Sequence, residues 1–100
     1  MNEAAVTMAE PGVMRLAGEL DYRSGPSLRK QGKGLIAACA EAQLVFDCSA
    51  VSRSTSVGLS LLLAFIRDAQ AAGKAYSVRG MPDDMREIAE VYDLDEVLVG

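Results

Sequence analysis

The sequence has no histidine and only two cysteines, Cys39 and Cys48. Without histidine, the usual Ser-His or Cys-His activation of a nucleophile is unavailable. The two cysteines do not form a Cys-x-x-Cys pair and have no histidine to complete a zinc set. Both lie in apolar stretches, the setting of small buried hydrophobes rather than redox groups. Long apolar runs are missing too. The longest, Leu59 to Ile66, is interrupted by Ser60 and stops at Arg67, well short of the roughly 20 residues needed to span a bilayer. Met1-Asn2-Glu3 lacks the basic start and apolar stretch of a signal peptide, so a cytoplasmic location without direct membrane insertion is expected. Positive charge is scarce, with 10 Lys plus Arg against 14 Asp plus Glu. Phosphate neutralisation needs a basic surface, so a generic nucleic-acid binder is excluded.

What remains is 100 residues of which half are apolar, one domain over residues 1–100 that can hold a single core without disulfides or metal. The acid is unevenly placed. Asp83, Asp84, Glu87, Glu90, Asp93, Asp95 and Glu96 crowd the C-terminal segment around one base, Arg86, and leave the rest of the chain slightly positive. Such a segment reads as a solvated acidic helix, with an electrostatic docking surface as the sharper alternative.

Along the chain, Ala4 to Met8 and Val13 to Ala17 read as two strands around the turn Glu10-Pro11-Gly12, where Pro sets φ and Gly supplies a positive φ. Gly18-Glu19-Leu20-Asp21 then leads out of the sheet. Ser24-Gly25-Pro26 starts a helix, with Ser or Gly as cap and Pro26 at the first helical position. In it Leu28, Leu35, Ile36 and Cys39 recur at helical spacing, while Gly32 and Gly34 make it depend on packing, close approach to the sheet being one reason for glycine. Leu44 to Cys48 is a buried central strand. A polar segment, Ser49 to Ser56, precedes the strongest helix, Val57 to Ala72, which stops at Gly73. Ala75 to Arg79 is a strand, Asp83 to Val91 an acidic helix, and Val97-Leu98-Val99 a short final strand. This order implies an α/β domain: a mixed, mostly parallel sheet of four to five strands, an N-terminal hairpin and three crossover helices.

Ligand and partner sites in open parallel sheets gather beyond the strand carboxyl ends, at helix N-termini. The polar loop holding Arg53, Ser54, Thr55 and Ser56 falls there. Ser54, Thr55 or Ser56 can cap the helix, and a phosphate on Ser56 would meet unpaired N–H groups at its positive end. Leu59, Leu62, Leu63, Phe65, Ile66 and Ala69 form the core face of that helix at about 100° per residue. Val57, Leu61, Ala64 and Asp68 form a stripe at its edge, either a partly exposed docking face or ordinary packing under a neighbour. No acid-base pair, metal set or Gly-rich phosphate loop is visible, so no enzyme, cofactor or metal is expected.

Three segments carry a family likeness: Gly18-Glu19-Leu20-Asp21, Val45-Phe46-Asp47-Cys48-Ser49-Ala50-Val51, and the run from Ser52-Arg53-Ser54-Thr55-Ser56-Val57-Gly58 to Leu63. They resemble the STAS family of anti-sigma-factor antagonists and sulfate-transporter tails, from about Val13 to Leu98. Within it they are most similar to the cytoplasmic STAS subunits of Mla phospholipid-transport ABC complexes of Gram-negative bacteria. The resemblance implies a non-enzymatic module that binds an ATPase subunit of the MlaF kind and, through it, the permease and lipid-binding subunits. The interface would comprise Arg53, Ser54, Thr55, Ser56, Val57, Ser60, Leu61 and Ala64. Ser56 falls on the family's phosphorylatable position. Thr55 stands where many members carry Asp, which favours the transporter reading over an anti-sigma-factor antagonist switched by phosphorylation at Ser56.

Overall fold

The computed structural model describes residues 4–94. Four strands form one sheet in the order β1-β2-β3-β4: β1 (Ala5–Glu10), β2 (Val13–Leu20), β3 (Gln43–Ser54) and β4 (Ala75–Arg79). The first pair is the expected antiparallel hairpin, and β2–β3 and β3–β4 are parallel. Gly12 takes φ +81° at the hairpin turn, and its carbonyl accepts the Val45 N–H at 2.7 Å, tying the turn to β3. Helix α1 (Gly25–Ala38) connects β2 to β3, α2 (Ser56–Ala71) connects β3 to β4, and α3 (Asp83–Val91) follows β4. Both crossovers step the same way across the sheet, so their common right-handedness puts α1 and α2 on one face. Side-chain alternation agrees: Met14, Leu16, Leu44, Phe46 and Cys48 point into the helix-covered core and are fully buried.

The polar segment Ser49–Ser54 is strand, not loop. Ala50, Val51, Arg53 and Ser54 pair with Ala17, Gly18, Glu19 and Leu20. The Gly18–Leu20 stretch therefore extends β2 instead of leaving the sheet. Hydrophobic alternation misses this because the register slips beside Arg15/Ala17 and Gly18/Glu19, and a bulge shifts which side chains face inward. The strand expected over Val97–Val99 lies outside the described residues.

Helix α2 ends as its Gly73 suggested. Gly73 has φ +73°, its N–H reaches Gln70 O at 3.0 Å and Lys74 N–H reaches Ala69 O at 2.9 Å, the paired bonds of a Schellman stop. The two glycines of α1 differ in role. A Cβ on Gly32 would sit 2.3 Å from two ring atoms of Phe65, so the close approach is to α2 rather than to the sheet. Phe65 is fully buried and stacks on Phe46 with centroids 6.5 Å apart, leaving its ring little room to retreat. Gly32→Ala is expected to lose about 1–3 kcal/mol to overpacking, outweighing the roughly 1 kcal/mol of helix propensity that Ala contributes. Gly34, with nothing near its Cβ position, should show the opposite sign, Gly34→Ala stabilising by up to about 1 kcal/mol. Urea unfolding of the two variants checks this, and equal signs would contradict it.

The face of the sheet opposite the helices carries a cross-strand row, Thr7, Arg15, Asp47 and Arg79. Asp47 is only 3% exposed. Its Oδ1 accepts the Ser49 hydroxyl at 2.7 Å and the Ser49 N–H at 3.0 Å, while Oδ2 faces Arg79 at 3.4 Å and Arg15 at 3.7 Å. The Ser49 hydroxyl, with the Ser49 amide and Arg79 in support, holds this carboxyl below its ordinary value of 3.8 despite its burial. A depressed folded value stabilises the fold above the unfolded-state value and loses that contribution as pH falls below it. Asp47→Asn should cost about 1–2 kcal/mol at neutral pH, and the difference from the parent should shrink as pH falls below about 4. A gap constant with pH would rule out the charge as its source.

Candidate docking site

The end of β3, the start of α2 and the start of α3 meet at one place. Thr55, of the three candidate hydroxyls, is the cap: its Oγ1 accepts the Val57 N–H at 3.2 Å and donates to Leu20 O at 3.3 Å. Its N–H also reaches Leu20 O, at 3.2 Å, so the cap is held by the end of β2. Ser54 turns inward. It is 6% exposed, its hydroxyl donates to Thr55 O at 2.9 Å, and its N–H donates to Asp84 Oδ2 at 3.0 Å. Asp84 Oδ1 also accepts the Met85 N–H at 2.8 Å, so one carboxylate in the first turn of α3 ties that helix to the β3–α2 junction. Ser56 is left exposed at the first position of α2. Arg53 is exposed on β3, opposite Glu19 in register.

Two grooves flank the exposed ridge of α2. One, of about 380 Å³, runs between the starts of α1 and α2, walled by Tyr22, Pro26 and Val57 and floored by Leu61 and Ala64. The stripe expected at the helix edge is thus partly core: Leu61 is 5% exposed and Ala64 6%. They are covered because Arg29 of α1 forms a bidentate pair with Asp68 and lies over the Phe65 ring, clamping α1 down on α2. Val57 is half-buried and Ser60 exposed, so these two carry that stripe's accessible surface. The second groove, of about 510 Å³, lies between α2 and α3 and is lined by Ser56, Leu59, Ser60, Leu63, Ile88 and Tyr92, with Leu94 at its end. Leu63, expected in the core, is half-buried on this side.

Sequence reasoning missed the groove walls. Among the described residues the exposed large hydrophobics are Tyr22, Val91 and Tyr92, and each tyrosine borders one groove. Exposed tyrosines beside apolar grooves are the usual anchors of protein interfaces. Tyr22 is presented by a loop that Asp21 shapes. The Asp21 carboxylate accepts the Arg23 guanidinium at 2.8 Å and the Arg23 and Ser24 N–H groups at 2.9 and 3.3 Å, and the Arg23 bond above all holds it below the ordinary carboxylate range. The Ser24 hydroxyl turns back onto this loop, donating to Glu19 O at 3.1 Å instead of capping α1.

Cys48 is fully buried, and burial pushes its thiol up to about 12, so it stays protonated at neutral pH. Cys39 is half-buried. No group of acids and cysteines among the described residues is arranged to hold a metal ion, and no described helix is long and apolar enough to cross a membrane.

The same architecture occurs in solved structures. SpoIIAA, an anti-sigma factor antagonist, matches in its unphosphorylated form with TM-score 0.72 and 21% identity over 94% of this chain and 84% of that one. The phosphorylated form of SpoIIAA, a Bacillus cell fate determinant, matches at TM-score 0.67 and 22% identity, covering 94% and 86%. An anti-sigma factor antagonist from Mycobacterium paratuberculosis matches at TM-score 0.74 and 25% identity over 98% and 83%. The family model described as "Mlab, STAS domain" spans residues 4–100. STAS domains are in general non-enzymatic protein-interaction modules. With that match running through both grooves and the sheet beneath them, the chain belongs to the MlaB-type STAS domain family.

Proposed function

We propose that this chain is a non-enzymatic STAS subunit that binds the ATPase subunit of an Mla-type phospholipid-transport ABC complex. In this role it supports assembly and activity of a transporter that maintains outer-membrane lipid asymmetry, and it sits at the cytoplasmic side of the inner membrane through that complex. The observation that carries the reading is the paired apolar grooves astride Ser56, Val57 and Ser60, in a chain of the MlaB-type family. Tyr22 and Tyr92 serve as anchors, and the acids of α3 favour a basic partner surface at the rim. The second reading, an anti-sigma-factor antagonist phosphorylated at Ser56, draws on the solved structures it resembles and on the exposure of Ser56 at a helix N-terminus. Thr55 as the uncharged cap beside Ser56 favours the first.

Co-expression with the ATPase subunit of an Mla-type complex tests the reading. The parent chain should co-purify with the ATPase at a fixed ratio. Val57→Lys and Tyr92→Ala should each weaken that association at least about tenfold while the isolated domain keeps its unfolding midpoint. Leu61 is unsuitable for this purpose because its substitution would strike the core. Undiminished co-purification of both variants would refute the site, and retention of a kinase instead of an ATPase would favour the second reading.

A further inference from the structure

Among the described residues none covers the sheet face away from the helices, although β2, β3 and β4 are parallel, and parallel strands are normally covered on both faces. At its centre two guanidinium groups, Arg15 and Arg79, converge on the single oxygen Asp47 Oδ2, whose partner oxygen is already taken by Ser49. One carboxylate cannot neutralise two cations. Both arginine side chains are about half exposed, 47% and 56%. The neighbouring rows of this face hold Ala5 with Ala17, and Val13 with Val45 and Ser77, small enough for a helix to lie flat against them.

The chain carries the complementary surface on its other layer. Met85 and Ala89 of α3 are buried, and at about 100° per residue Asp83, Glu87 and Glu90 fall within an arc of about 60° on the opposite side. All three are exposed, with Arg86 at the flank. Asp83 and Glu90 lie seven residues apart, a rise of roughly 10 Å. Arg15 and Arg79 stand two strand spacings apart, also roughly 10 Å.

From this match we infer that the sheet face away from the helices receives α3 of a second copy, with the Asp83–Glu90 stripe completing the charge of the Arg15–Asp47–Arg79 row. The two surfaces lie on opposite layers, so the contact is head-to-tail and does not close on itself. It does not depend on the docking reading, but it would compete with any partner that grips α3.

Sedimentation of the full chain tests it. At low salt the average mass should rise with concentration above the 10.6 kDa monomer and continue past the dimer, returning to monomer near 0.5 M salt as screening shortens to about 4 Å. Arg15→Gln/Arg79→Gln and Asp83→Asn/Glu87→Gln/Glu90→Gln should each remain monomeric alone. Mixed, they should form a heterodimer and stop there, since each keeps one working surface. The α3 variant alters only exposed side chains, so it remains informative if the arginine variant is less stable. A parent that stays monomeric at low salt, association that persists at high salt, or a mixture that stays monomeric would each overturn the inference.

Discussion

Gly58→Val is expected to lower the unfolding midpoint by roughly 12 °C or more, corresponding to a loss of about 3 kcal/mol in a domain of this size. A Cβ at Gly58 would lie 2.1 Å from Ser54 Oγ, 2.9 Å from Leu20 Cβ and 3.2 Å from Ser54 Cβ. The hydroxyl could swing aside, but the two Cβ atoms are fixed to strands paired in register, Leu20 with Ser54. Ser54 is further held through its N–H by Asp84. Relief therefore requires α2 to lift from the ends of β2 and β3, which opens the core at Leu59 and Leu62 and also displaces Thr55 from its bonds to Leu20. The milder Gly58→Ala meets the same atoms without the extra methyls, and Ser54→Gly in that background removes two of the three contacts and should recover most of the loss. A midpoint within a few degrees of the parent for Gly58→Val, measured by thermal denaturation, would show that α2 is not seated as tightly as these distances require.

Much of this architecture could be read from local chemistry. Pro11-Gly12, Pro26 and Gly73 mark boundaries through fixed or positive φ, and those boundaries hold. The polar half of β3 could not be read, because Ser52, Arg53 and Ser54 show no hydrophobic alternation and become strand only by pairing with β2. Burial on α2 was similarly hidden: a helical wheel separates faces but not which neighbour covers them, and the Arg29–Asp68 clamp that buries Leu61 and Ala64 spans 39 residues of sequence. The hydroxyl cluster pointed to the right corner of the molecule without sorting its members. Ser54 is structural, Thr55 is the cap and Ser56 faces outward, distinctions set by the contacts with Leu20 and Asp84. The tyrosine walls left no pattern at all, since Tyr22 and Tyr92 lie outside the helices and their partners across the grooves come from elsewhere in the chain.

Ser56→Glu should separate docking from folding. A carboxylate at the first position of α2 faces the positive end of that helix, which contributes about 0.3–1 kcal/mol in its favour, so the isolated variant should unfold at or slightly above the parent midpoint. The effect on association has two opposed parts. A basic ATPase surface would attract the added charge, but charges that remain exposed gain only about 0–1 kcal/mol from such pairing. Ser56 borders the groove between α2 and α3, where a docked partner would strip water from the carboxylate at a cost of several kcal/mol. Desolvation therefore wins, and the ATPase affinity should fall about ten- to a hundredfold, while Ser56→Ala, which removes a hydroxyl without adding charge, should leave it within about threefold. Calorimetric titration of the purified subunits measures both. Equal affinity for the Glu variant and the parent would place Ser56 outside the contact, and tighter binding would mean that a basic group of the partner sits directly over the start of α2.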